Sequence, residues 1–214
     1  MSRRLVCLGA GGHARSVLDA AAAAGFEVIG LLDREGAGPP AGDGVWPILG
    51  DDRRLPGLVA DGVEVVIGVG GTGDNLPRRW LFERAVALGA GLPAVVHPGA
   101  HVARSAALGR GTVVLAGAIL NAGARAGDDV IVNTGAIVEH DCVLEDHVHV
   151  SPGAVLGGAV RVGEASHVGI GAVVREGCSI GARATVGAGA VVVSDVPPGA
   201  VWTGLPARPH HRRP

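Results

Sequence analysis

Val130-Ile-Val-Asn-Thr-Gly-Ala-Ile-Val-Glu-His-Asp-Cys-Val-Leu-Glu-Asp-His-Val-His-Val150 renews its pattern every six residues. Val132, Val138, Leu144 and Val150 share one register; Ala136, Cys142 and Val148, each four residues on, share another. Followed outward, the first register starts at Val96 and runs through Val102, Leu108, Val114, Leu120 and Ala126. Beyond Val150 it continues through Leu156, Val162, Val168, Val174, Ile180 and Val186 to Val192. Sixteen of these seventeen positions are Leu, Ile or Val. The second register, from Ala100 to Val196, holds small or β-branched residues throughout. A period of six matches neither the helical 3.6 nor the 2 of a plain strand. It suits a chain that makes a short strand, turns and repeats, with the aliphatic residue pointing into a narrow prism and the small one at a tight corner. Hexapeptide periods mark β-helices, whose coils stack by parallel strand pairing. Three hexapeptides per coil predict roughly five coils and a prism on the order of 25 Å tall.

Eighteen residues per coil put His167 beside His149 on neighbouring coils. They set Cys142 and Cys178 two coils apart, about 10 Å, beyond disulfide reach. With Cys7 the cysteines number three, which is no disulfide framework, and they read as packing residues. Composition agrees: of 214 residues 48% are hydrophobic but only 2% aromatic, and 37 are glycine. Such a chain buries apolar area through small aliphatic side chains on a regular scaffold. All eighteen cationic side chains are Arg. The absence of Lys excludes a Schiff base or a P-loop lysine. A net charge of −2 argues against a nucleic-acid partner. No run of roughly 18 apolar residues is present to span a bilayer, and the N-terminus does not read as a signal peptide. A cytoplasmic protein without a membrane partner is expected.

The first third alternates differently. Residues 4–9 read as a buried strand, Ala14 to about Ala24 as a helix stopped by Gly25, and Glu27 to Leu32 as a second strand ending at Asp33. Val63 to Val69 reads as a third strand, Pro77 to Leu88 as a helix, and Leu92 to Val96 as the lead into the repeat. This βαβ alternation predicts a small parallel sheet. Gly9-x-Gly11-x-x-Ala14 after a strand, with Asp33 about twenty residues on, fits a phosphate-binding turn. Glycines let backbone approach a pyrophosphate at a helix N-terminus, and the acid meets a ribose hydroxyl. At ~95 residues the unit is about half what a full NAD site needs, so a nucleoside diphosphate fits better than NAD. A purely structural tight turn is the plain alternative. The expected division is 1–94, a nucleotide-binding half-Rossmann α/β unit; 95–196, the parallel β-helix; and 197–214, a C-terminal tail.

Several of these segments resemble one family. They are Gly9-Ala-Gly-Gly-His13-Ala-Arg15, Gly73-Asp-Asn75-x-x-Arg78, His97-Pro-x-Ala, the uninterrupted hexapeptides and the closing Gly204-Leu-Pro206-Ala207-Arg208. All are similar to the bacterial nucleotide-amino-sugar N-acetyltransferases and sialic acid O-acetyltransferases. The resemblance implies a left-handed β-helix, a homotrimer, acetyl-CoA as co-substrate and sites between adjacent subunits. It implies that His140 is the general base, Asp141 the carboxylate that orients it and raises its basicity, and Asn133 a polar residue near the acceptor. Histidine suits that role because its pKa lies near the working pH. By the same resemblance Gly11, Gly12, His13, Asp33 and Gly73 bind the nucleotide-linked amino-sugar, while His149, Gly158, Ile170 and Ala188 lie against acetyl-CoA.

Rival readings follow the same residues. His147-x-His149 with His167 one coil away could supply three metal ligands, but the spacing is not that of γ-type carbonic anhydrases and the glycine-rich unit would be idle; no metal is expected. His13 could be a helix-start residue facing solvent, and His210 and His211 are read as solvated. The expected reaction is acetyl transfer to the 4-amino group of a UDP-, dTDP- or GDP-linked deoxy-sugar. The alternatives are O-acetylation of a sialic acid or related sugar, and a non-catalytic nucleotide-sugar-binding scaffold. Acceptor selectivity is expected in loops such as Gly36 to Trp46.

Overall fold

The computed structural model describes residues 3–34, 46–71 and 75–210. Gly73 and most of the Gly36–Trp46 loop lie outside the described residues. The N-terminal unit holds a four-stranded parallel sheet of β1 (Arg4–Leu8), β2 (Glu27–Leu32), β3 (Ile48–Gly50) and β4 (Glu64–Ile67), in the order β3-β2-β1-β4. Helix α1 (Gly12–Ala23) buries Ala14, Val17, Leu18 and Ala21, the one-face spacing of an amphipathic helix. It starts two residues earlier than the sequence suggests, because extended Gly11 serves as its N-cap. A 3-10 turn (Asp52–Arg54), α2 (Leu55–Ala60) and β3 are additional to the elements expected. Each is only three to six residues long, too short to display a period. Helix α3 spans Leu76–Ala87. The third predicted strand is trimmed to Glu64–Ile67, and at Gly68 the missing side chain lets the chain pass against Cys7 and α1, since a Cβ there would lie 2.8 Å from the Ala14 Cβ.

From Val95–Val96 to Val191–Val192 the chain makes seventeen two-residue strands, and as far as Val173–Val174 each pairs in parallel with the strand eighteen residues on. Every third strand joins the same sheet, so three sheets enclose a left-handed prism. Both six-residue registers point inward. From Val114 to Val192 the aliphatic column, and from Ala118 to Val196 most of the small one, form one buried core. This corrects the expected place of the small residue, which lies just past the corner. The corner itself is the residue before it, and it forms a third register in left-handed backbone: Gly111, Gly117, Gly123, Asp129, Gly135, Asp141, His147 and onward. Glycine is preferred there because a Cβ costs about 1–2 kcal/mol in that conformation. Eight of the 37 glycines stand in this column.

The three outer faces differ. One presents Val95, Val113, Ile131, His149 and His167, and the N-terminal unit covers it: Val95, Val113 and Leu115 share a buried cluster with Ala14, Val17, Leu18 and Ala21 of α1. A second presents an apolar column, Ile119, Ile137, Val155, Val173 and Val191, of which Val173 is 41% exposed. The third presents Ala107, Arg125, Val143, Arg161 and Ser179. The segment expected as a tail folds back over the prism end. Val201–Thr203 adds a strand to the covered face, Arg208–Pro209 pairs antiparallel with it, and Trp202 lies against the prism core.

Candidate active site

His140 and Asp141 occupy the corner between the apolar and arginine-bearing faces, and both side chains are largely exposed. Imidazole Nδ1 meets Asp141 Oδ2 at 2.9 Å, while the His140 N–H donates to Glu139 Oε2 at 3.1 Å. The Asp141 hydrogen bond, with its charge and that of Glu139, raises the imidazole pKa above the ordinary 6.5. The remaining nitrogen, Nε2, lies over Gly158 one coil above: a Cβ there would come within 2.5 Å of it. Gly123, one coil below, leaves room for the Asp141 carboxylate in the same way, since its Cβ would lie 2.6 Å from Oδ1. Absent side chains on two neighbouring coils thus seat the pair. An imidazole oriented through Nδ1 by a carboxylate and open at Nε2 has the geometry of a general base.

A second histidine group is buried where the N-terminal unit meets the prism. His149, 5% exposed, donates from Nδ1 to the Gly71 carbonyl, and its Nε2 accepts from Asn133 Nδ2 at 3.1 Å. A carbonyl can only accept, so these partners set the neutral tautomer. The His167 ring stands edge-on at 5.0 Å between centroids, as the eighteen-residue step predicts, and the His13 ring lies at 6.2 Å. Burial, aided by neighbouring His167, holds His149 down at about 3; burial and the Arg78 charge hold His13 at about 4. His13 is therefore not a solvated helix-start residue. Its Nε2 is buried and has no protein partner.

His13 lines a cleft of about 790 Å³ whose walls include Gly9 to Gly12, Asp33, Val69, Gly70 and Trp80. The start of α1 has no side-chain cap and no acidic residue in its first turn, so its N–H groups are available to an anion. A Cβ at Gly11 or Gly12 would meet nothing within 4 Å, leaving open space over the turn. Asp33 accepts from Ala10 N at 2.5 Å and from Arg34 N at 2.6 Å. These bonds pin the glycine turn and hold the carboxylate in the cleft wall.

The residues nominated from sequence therefore fall into separate places. Gly11, Gly12, His13 and Asp33 share the cleft. His140, Asp141 and Gly158 share one corner. Asn133 is not beside His140; it joins His149 in the buried group. Ile170, 62% exposed, and Ala188 stand on the opposite edge of the apolar face, one coil apart, away from the Gly158 corner. His147 and His149 diverge: His147 Nδ1 meets Asp129 Oδ2 at 2.9 Å. Among the described residues, no three His, Cys, Asp or Glu side chains gather as a metal site.

Asn75-x-x-Arg78 proves to be a clasp. Arg78, 1% exposed, donates to the Ile67 and Val69 carbonyls and pairs with Asp129 at 2.7 Å, while Asn75 donates to the His147 carbonyl. α3 is thereby fastened to the prism, and with it the cleft wall. A buried pair of this kind is strongly destabilising to break from one side, by about 3–5 kcal/mol. The sequence reading singled out the motif without its role, since a contact between residues 51 apart leaves no local signal.

Residues 4–85 match the family model of the PglD N-terminal domain. Compared with curated proteins by sequence, the chain matches none. Among solved structures it is similar to the acetyltransferase domain of PglB from Neisseria gonorrhoeae FA1090, at 42% identity over 98% of this chain and 100% of that one, with a TM-score of 0.90. The same domain has been solved in complex with acetyl coenzyme A. A histidine-to-alanine mutant of GDP-perosamine N-acetyltransferase from Caulobacter crescentus, in complex with CoA and GDP-perosamine, is 38% identical over 97% of this chain and 96% of that one, with a TM-score of 0.90. Likeness of this extent, over both the nucleotide-type unit and the prism, identifies the chain as an acyltransferase belonging to the PglD-like family of hexapeptide-repeat nucleotide-amino-sugar acetyltransferases.

Proposed function

We propose that the protein transfers acetyl from acetyl-CoA to the 4-amino group of a nucleotide-linked deoxy-sugar, with His140 as general base. The observation that carries this reading is the His140–Asp141 pair with Nε2 open over Gly158. The amine nitrogen attacks the thioester carbonyl carbon, its proton passes to His140 Nε2, and the C–S bond breaks as CoA thiolate leaves and is reprotonated. Holding both substrates in one geometry supplies much of the acceleration. The uncapped start of α1 and the Asp33 wall suit the nucleoside diphosphate. The complexes of the Neisseria domain with acetyl coenzyme A and of the Caulobacter enzyme with CoA and GDP-perosamine support both substrate classes.

The assembly we propose is a homotrimer. The apolar column from Ile119 to Val191 is a face that water would leave, and the His140 corner lies along one edge with Ile170 and Ala188 along the other. Apposition of these edges from adjacent copies would complete a site that one chain leaves divided. The test is a panel of UDP-, dTDP- and GDP-linked 4-amino-sugars with acetyl-CoA, following free thiol. Turnover with one of them is expected. Thiol release with free sialic acid and with no nucleotide sugar would overturn the assignment, and a fully active monomer in sedimentation at micromolar concentration would overturn the shared site.

A further inference from the structure

Five of the 214 residues are aromatic, and four of them pack. Phe82 is buried against the His147 ring, Phe26 and Trp46 lie against the core between α1 and the prism, and Trp202 lies against the prism core. Trp80 is the exception, 55% exposed on α3, where it lines the nucleotide-sized cleft beside Pro77 and Leu81. A large apolar ring left more than half in water inside a cleft wall gains little from burial in the chain itself. Its position is nonetheless well held. The Arg84 guanidinium lies over the indole at 5.4 Å from the ring centroid, and is itself tied to Asp52 through a 2.6 Å ion pair and a 3.1 Å bond to the Asp52 carbonyl. Asp52 and Arg34 line both this cleft and an adjoining cavity of about 290 Å³.

We infer that Trp80 is the stacking platform for the nucleobase of the acceptor, a residue that sets nucleotide affinity. The inference rests on the cleft being the nucleotide-sugar site. There the diphosphate lies at the start of α1, and the sugar extends past His13 toward the prism. The ribose at Asp33 then points the base away from the prism, toward Arg34, Asp52 and Trp80. An indole face accepts any base, because every base presents a π-surface, and a purine covers more of it than a pyrimidine.

Trp80→Leu in the full chain should bind GDP and UDP about 10- to 100-fold more weakly by calorimetry. Trp80→Phe should keep most of the affinity, and pyrophosphate and acetyl-CoA should bind both variants as they bind wild type. In turnover, KM for the nucleotide amino-sugar should rise in Trp80→Leu with kcat preserved. Wild-type affinity for both nucleotides in Trp80→Leu would overturn the platform alone. A changed assembly state of that variant in sedimentation would assign the indole to a subunit contact instead. Wild-type protein that binds acetyl-CoA but neither nucleotide would overturn the nucleotide reading of the cleft, and the platform with it.

Discussion

His140 and His149 stand nine residues apart, half a coil, and each has a hydrogen-bond partner at Nδ1, yet they are opposite kinds of histidine. His140 sits on an exposed corner against a carboxylate, which favours the charged ring and raises its pKa. His149 is covered by the Gly71 loop and bonded to a carbonyl, and burial holds its pKa near 3. One is open at Nε2 with its charged form favoured by a carboxylate; the other stays neutral and works as a post between Asn133 and the loop. Residue type alone did not separate them. The face of the prism did, because one face is docked and the corner is open.

The sharpest contrast is in turnover. His140→Ala should lower kcat by roughly 10²–10⁴-fold with the assembly intact, the range for loss of a general base. Near-wild-type turnover at saturating acetyl-CoA would move the base elsewhere, to solvent or His149. Gly158→Ala tests the seat of the base without removing it. A Cβ there collides with Nε2, and displacing the ring by about 1 Å should cost on the order of 10²-fold in kcat with little change in melting temperature. An unaltered kcat would mean that the resting position of the ring does not matter.

Asp141→Asn should cost less than His140→Ala in kcat, since it removes orientation and basicity but not the proton acceptor. Because Asp141 raises the His140 pKa, kcat/KM of the wild type should fall on the acid side from a pH above 6.5. The substitution should shift that limb to lower pH. A limb that stays in place would separate Asp141 from the titrating group.

The smallest effect belongs to the buried group, and it is on stability. His13 and His149 bind protons more weakly folded than unfolded, so the unfolded chain gains protons first as pH falls below 6.5. Between pH 6.5 and pH 5 each should withdraw about 2 kcal/mol of stability. Denaturant midpoints for wild type and His149→Gln at the two pH values should show the fall shrinking in the variant. An identical fall in both would place the proton uptake on other groups.

Sequence periodicity carried the prism a long way: the inward aliphatic column, the eighteen-residue pairing of His149 with His167, and the surface position of His140 were legible in it, while the small-residue column was legible as a register but misplaced at the corner. The third register was also visible, as Gly111, Gly117, Gly123 and their successors, but Asp129, Asp141 and His147 interrupt it, and a period broken by polar residues looks like function before it looks like a turn. What lay beyond reach was docking. The Gly71–His149 bond joins residues 78 apart and the Asn75–His147 bond residues 72 apart. Trp80 escaped notice too, because a single aromatic on a helix has no pattern until the cleft beside it is seen.

The left-handed corners have a last consequence, for how such a chain tolerates change. Three corners per coil make the prism behave like a reading frame with a word of eighteen. Loss of one residue between Asp141 and Gly158 would turn every later side chain to the wrong surface, and the ring of His140 would then meet a neighbour other than glycine. Gain of a whole word beyond Val174 would leave that meeting untouched and merely lengthen the column. Length can therefore vary by coils above the site, while within it the count between base and seat admits no single-residue drift.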